Sequence, residues 1–157
     1  MSERKSSYFF SMRPKIAIVA SRYRPEIIDL LTIGAGEEIQ KHGGSYDVFK
    51  VHGSYELPTV ISYLDRSAQN QYDAYVALGC VLKGETIHDE VIARAVYDSL
   101  QRLATDRNLA IGSGVLTVNT QEQAFDRADP KRQNRGAEAA LAALDLLQLK
   151  QDLNFDV

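Results

Sequence analysis

"YDAYVALGCVL", residues 72–82, decides the fold. The run is almost continuously apolar, as expected of a strand buried on both faces of a parallel sheet. Working outward, "KIAIVASRY" (15–23) and "SYDVFKV" (45–51) read as strands before it, and "LAIGSGVLTV" (109–118) as a fourth after it. Helical patterns separate them. "EIIDLLTIGAGEEIQKHGG" (26–44) places Ile27, Ile28, Leu31 and Ile39 at helical spacing, follows Pro25 and stops at Gly43-Gly44. "TVISYLDRSAQNQ" (59–71) reads as a second helix. "HDEVIARAVYDSLQRLATDRN" (88–108) is a third, with Val91, Ile92, Ala95, Val96, Leu100 and Leu103 on one side. A short helix "TQEQAFDRA" (120–128), a basic loop "DPKRQNRG" (129–136) and an alanine-rich helix "AEAALAALDLLQLK" (137–150) complete the chain.

Strands alternating with helices imply βαβ units with right-handed crossovers. The expected fold is therefore α/β, a three-layer αβα sandwich on a four-stranded parallel sheet, flavodoxin-like in type. One domain is expected over residues 15–150, with an N-terminal arm at 1–14 and a tail at 151–157. The leading "SYFF" has strand character without a nearby partner, which suits a tail or a strand lent to another sheet.

The bulk composition narrows the classes. A chain of 157 residues buries a sizeable core without staples. Its 45% hydrophobic and 25% charged content is that of a soluble globular protein. The net charge of −3 offers no basic field for nucleic acid or anionic lipid. The single cysteine, Cys80, excludes an internal disulfide and fits a reducing, cytoplasmic setting. The N-terminus has only the three apolar residues "YFF" together, too few for a secretory signal. No window reaches the roughly 20 apolar residues of a membrane span.

Ligands of open α/β sheets bind outside the carboxyl ends of the strands. Three loops there carry unusual contents: "SRYRP", "HGSYELP" and "LKGETIH". The fourth holds Asn119 and Thr120 and leads towards Arg127. In "GETIHDEV" (84–91), Thr86 reads as a helix cap with Asp89 reaching back as in a capping box. Free N–H groups at that helix start suit an anion such as phosphate, and the glycine spacing excludes a Walker A loop. Arg127 offers a forked counter-charge from across the pocket. With Thr86 as cap, His88 takes the second helical position, beside the phosphate pocket and placed to accept and return a proton. No histidine pair has metal-ligand spacing, and adjacent His88 and Asp89 make a poor triad. Tyr23 and Tyr55 offer rings for a flat heterocycle and Glu56 an acceptor. Lys131, Arg132 and Arg135 form a basic loop that reads by default as a solvated face.

With these loops in hand, the chain resembles the 6,7-dimethyl-8-ribityllumazine synthase family over about residues 15–149. The resemblance rests on "VASRYRPEI", "HGSYELP", "ALGCVLKGETIHDEV", "GVLTVNTQEQAFDRA" and "NRGAEAA", in the family's order. It implies the joining of 5-amino-6-ribitylaminouracil to 3,4-dihydroxy-2-butanone 4-phosphate without a metal or organic cofactor. It implies that Tyr23 stacks on the uracil, that Ser54, Tyr55 and Glu56 bind the ribityl chain, and that Cys80, Val81 and Leu82 lie along the pyrimidine. Glu85 and Thr86 would hold the phosphate, Arg127 would balance its charge, and His88 would move protons. Lys131 and Arg135 are auxiliary candidates. The resemblance also implies active sites between subunits and an N-terminal segment added to a neighbour's sheet.

Two positions depart from the family's pattern. Ser113 stands where many relatives carry a phenylalanine, and Asn119 where a glutamate is common. The loop 129–136 lacks the "GTKAG"-like kink of sixty-subunit shells, so a pentamer is expected. A non-catalytic flavin- or lumazine-binding assembly is the alternative; a phosphoacceptor receiver is disfavoured, because no aspartate stands at the strand ends.

Overall fold

A computed structural model describes residues 8–155. Residues 1–7 and 156–157, the start of the expected arm and the end of the expected tail, lie outside the described residues. The elements run β1 (Lys15–Ser21), α1 (Pro25–Lys41), β2 (Ser45–Val51), a 3-10 turn (Ser54–Glu56), α2 (Leu57–Arg66), β3 (Ala74–Leu82), α3 (His88–Arg107), β4 (Ile111–Val118), α4 (Gln121–Ala128) and α5 (Arg135–Asp152).

The four strands form one parallel sheet in the order β2-β1-β3-β4. Helices cover both faces, giving the flavodoxin-like sandwich. β1 and β3 are central and hidden almost end to end, as their apolar sequences require. β2 is an edge, with Asp47, Val48 and Lys50 exposed. β1 pairs with β3 only as far as Ala20 opposite Leu78, whereas β3 continues beside β4 to Leu82. Cys80, Val81 and Leu82 therefore project past the end of β1, at the reversal of strand order where ligands bind in this fold.

The sheet divides two cores. On one face Ile16, Ile18, Val76 and Leu78 pack against α1, α4 and α5; on the other Ala17, Val19, Tyr75 and Val115 pack against α2 and α3. Glycines let the first face close tightly. A Cβ at Gly136 would stand 2.0 Å from the Leu31 carbonyl oxygen, and one at Gly112 1.8 Å from that of Ala139. α5 thus lies directly on α1 and on β4, and its small alanines suit that approach.

Local chemistry explains where the elements stop. Pro25 opens α1 at its first turn. Gly43, at φ 83°, closes it, with Gly43 N–H donating to the Gln40 carbonyl and Gly44 N–H to that of Ile39. α2 begins at Leu57 and ends at Arg66, earlier at both ends than its pattern suggests. Beyond it, Ser67 and Asn70 side chains accept N–H bonds from Gln69 and Tyr72, making local turns that compete with helix. β1 ends at Ser21, and β3 and β4 begin two residues later than read from sequence. α5 runs to Asp152, into the stretch expected as tail.

Tyr8–Phe10 form no strand. Phe9 donates its N–H to Gln148 and accepts from the same amide, and the Tyr8 hydroxyl bonds Asp145, so this segment lies on α5. Among the described residues no helix is long and apolar enough to cross a membrane.

Candidate active site

Three strand-end loops meet around one cavity of about 420 Å³. The first leaves β1, where the buried Ser21 accepts the Tyr23 N–H at 3.0 Å. That bond turns the chain so that the ring of Tyr23, 58% exposed, borders the cavity. The carbonyl of Arg24 then accepts the N–H groups of Ile27 and Ile28, which starts α1.

The second loop leaves β2 through His52 and Gly53. Glu56 folds back to accept the Gly53 N–H at 3.0 Å, the acidic half of a capping box. This tightens Ser54–Glu56 into a 3-10 turn whose three side chains all border the cavity. Ser54 is buried against Gly79 of β3, where a Cβ would stand 2.4 Å from its Oγ. Only glycine at 79 lets the turn sit so close to the sheet.

The third wall is the overhang of β3. Cys80, 3% exposed, and the half-buried Val81 and Leu82 border the cavity. Burial pushes the Cys80 thiol pKa up, and the nearby Arg24 charge pulls it partly back. Past Leu82, the Lys83 N–H bonds the Val118 carbonyl and the chain turns through Gly84. Thr86 Oγ1 accepts the His88 N–H at 3.2 Å.

Thr86 is not the helix cap that the sequence suggested. Ile87 holds that position, no side chain bonds across it, and His88 is the first helical residue rather than the second. The capping box with Asp89 is absent as well. The threonine bonds two residues ahead, an ST-turn that uses the hydroxyl before the helix begins. His88 and Asp89 both face the cavity. Among the described residues no group of three or more His, Cys, Asp or Glu could hold a metal ion.

The chain does not bring every candidate together. Thr86 borders the cavity; the exposed Glu85 beside it does not. Arg127, expected across the pocket, lies instead in a second cavity of about 270 Å³ beside β4, with Ser113 and Arg135. There Arg127 donates to the Gln123 carbonyl at 3.3 Å and Arg135 to the Gln133 amide oxygen at 3.3 Å. Lys131 borders neither cavity. The fourth strand-end loop also stays out of the main cavity. Thr120 caps α4 by accepting the Gln123 N–H, and the Asn119 N–H bonds the Gln123 side chain.

Other residues border these cavities without having been named as site residues. His52, Gly53, Gly84, Asp89 and Ile92 border the first, and Tyr97 and Glu138 the second. His52 had a signal: it directly follows β2 at the carboxyl end. Tyr97 had none, because a tyrosine among apolar helix residues reads as packing. Its hydroxyl donates to the Val115 carbonyl, which fixes the ring against β4.

Residues 13–151 match the family model described as 6,7-dimethyl-8-ribityllumazine synthase. The 6,7-dimethyl-8-ribityllumazine synthase of Bartonella bacilliformis is 42% identical over 140 residues, covering 89% of this chain and 92% of its own. 6,7-Dimethyl-8-ribityllumazine synthase 1 of Rhodopseudomonas palustris is 40% identical over 142 residues, 88% of this chain and 87% of its own. The protein of the same description from Methylorubrum populi is 40% identical over 145 residues, 90% and 86%.

Proposed function

The chain belongs to the 6,7-dimethyl-8-ribityllumazine synthase family, and from that premise we propose how its residues divide the reaction. The protein is a transferase of riboflavin biosynthesis. It condenses 5-amino-6-(D-ribitylamino)uracil with 3,4-dihydroxy-2-butanone 4-phosphate to 6,7-dimethyl-8-ribityllumazine, releasing phosphate and water.

The observation that carries the assignment of roles is the cavity walled by Tyr23, Ser54–Glu56 and the β3 overhang, with Thr86 and His88 at one side. Tyr23 stacks on the uracil, and Cys80, Val81 and Leu82 flank its edge. Ser54, Tyr55 and Glu56 supply hydrogen-bonding groups for the ribityl hydroxyls. The turn of Glu85 and Thr86 receives the phosphate. The uracil amine attacks the ketone, a Schiff base forms, phosphate leaves, and the second nitrogen closes the ring with loss of water. His88 accepts and returns protons along this path, while orientation of two bound substrates supplies much of the acceleration.

Family membership makes the protein a homo-oligomer, and the two separated cavities fit sites shared between copies. Thr86 and His88 come from one subunit. Ser113, Arg127 and Arg135 come from β4, α4 and α5 of its neighbour, completing the phosphate counter-charge; Lys131 is an auxiliary cation. We infer a pentamer, since the loop 129–136 lacks the kink of larger shells. A light-scattering mass near sixty chains overturns that. Residues 15–150 form the catalytic domain, and a cytoplasmic location suits the single unpaired thiol.

The direct test mixes both substrates with purified protein and follows lumazine absorbance. Steady product formation is expected. Binding of the lumazine without product formation would establish the non-catalytic assembly instead.

A further inference from the structure

Arg24 lies between β1 and α1 in the left-handed conformation, φ 62° and ψ 58°, immediately before Pro25. A long side chain is disfavoured there, where glycine or asparagine is at ease. Its guanidinium carbon stands 5.2 Å from the centroid of the Tyr23 ring, within cation–π range. Its Nε is shielded from solvent and has no hydrogen-bond partner among the described residues. The Tyr23 ring is the aromatic neighbour of the guanidinium.

The position relative to the cavity matters more. Tyr23 and Cys80 border the cavity, and Arg24 does not. Its charge nonetheless reaches the Cys80 thiol. Arg24 therefore stands behind the wall that those two residues form. Because the guanidinium meets the Tyr23 ring without entering the cavity lining, the cavity side of that ring is left to a ligand.

Resting on the functional reading above, we propose that Arg24 is a positioning residue that acts through Tyr23, holding its ring in the wall and tuning it for an electron-rich pyrimidine. A cation on one face of an aromatic ring draws π density towards itself, so the opposite face stacks best on a heterocycle rich in electrons. A uracil bearing two amino substituents is such a heterocycle. The same contact orders an otherwise exposed ring before binding, which lowers the ordering cost when substrate arrives. The ketone phosphate has no ring and gains nothing from either effect.

The test compares wild-type full-length protein with Arg24→Met, Arg24→Lys and Arg24→Gly. It measures KM for each substrate and direct binding of the ribitylaminouracil and its electron-poor 5-nitro analogue by calorimetry. Arg24→Met should weaken pyrimidine binding about 5-fold, within the cation–π range, and shrink the preference for the amino over the nitro compound. KM for the ketone phosphate should stay within about twofold, because only the stacked ligand feels the cation. Lysine should restore most of the loss. Arg24→Gly relieves the left-handed backbone, so it folds at least as firmly, and should lose pyrimidine affinity as Met does. Equal pyrimidine affinity in Arg24→Met and wild type overturns the proposal, as does a parallel rise in both KM values that lysine fails to correct. Product formation by the wild type tests the functional reading separately, and the calorimetric ratios stand without it.

Discussion

On one face of the sheet, α5 buries nine of its 18 residues; on the other, α3 buries two of its 20. The first helix lies against α1 and β4 so closely that glycine is required at 136 and 112. The second leaves Val91 and Tyr97 exposed at 55% and 41%, with Ile87 at its cap exposed at 71%. A lone chain is thus more nearly finished on one side than on the other, although Leu146 and Leu149 of α5 are exposed too. The candidate site opens on the less finished side.

Leu144→Ala gives the largest expected effect and tests the finished face. The side chain is fully buried in the core under α5, so its loss should cost about 2–5 kcal/mol. Chemical denaturation that showed less than about 1 kcal/mol would mean this face is not the rigid one. His88→Ala probes the open face in the opposite sense. The residue is exposed, so stability should hold within about 0.5 kcal/mol. Turnover should fall about 10²-fold or less. Wild-type rate at saturating substrate would remove the assigned role.

Val91→Asp asks whether a second copy covers α3. An acid in the first turn favours the helix itself, so the fold should stand while association weakens by ~1–3 kcal/mol from an unpaired buried carboxylate. Sedimentation showing unchanged assembly would place the subunit contact elsewhere. Tyr72 gives the smallest effect. It joins the start of β3 to edge strand β2 through a 2.6 Å bond from its hydroxyl to Asp47. Burial, then that bond, push its phenol pKa up to about 12 from an ordinary value of 10.0. The folded value lies above the unfolded one, so the contribution is whole below pH 10 and is lost as pH rises towards 12. Thermal melts of Tyr72→Phe should show a shallower alkaline decline than wild type.

The elements were legible on both faces: α3 ends one residue before its reading, and α5 extends two residues beyond its reading at each end. The apolar runs at β1 and β3 announced central strands, and the 45–51 segment coincided with β2 in full. Boundaries slipped where side chains compete with the backbone, as at Ser67 and Asn70 after α2. The cap of α3 differed from its reading for the same reason: a threonine before a helix can cap it or bond just ahead of it, and residue types alone do not separate the two. Three strand-end loops were correctly joined into one cavity by the rule for open sheets. That rule says which end of the sheet a ligand takes but not which cavity a side chain enters, and Arg127, near the end of α4, borders the second cavity beside β4 rather than the first. Tyr97 stayed hidden because its place depends on a bond from its hydroxyl to the Val115 carbonyl of β4, which residue types do not announce.

Gly79 turns the capacity of the pocket into a mutational dial with very fine steps. The Ser54 hydroxyl rests 2.4 Å from where the missing methyl of residue 79 would be, so Gly79→Ala would force that hydroxyl, which belongs to the cavity wall, to shift. A protein engineer seeking to change what this scaffold accepts would find the first lever not among the groups that touch the ligand. It lies one layer below them, at a position whose contribution is the atom it lacks.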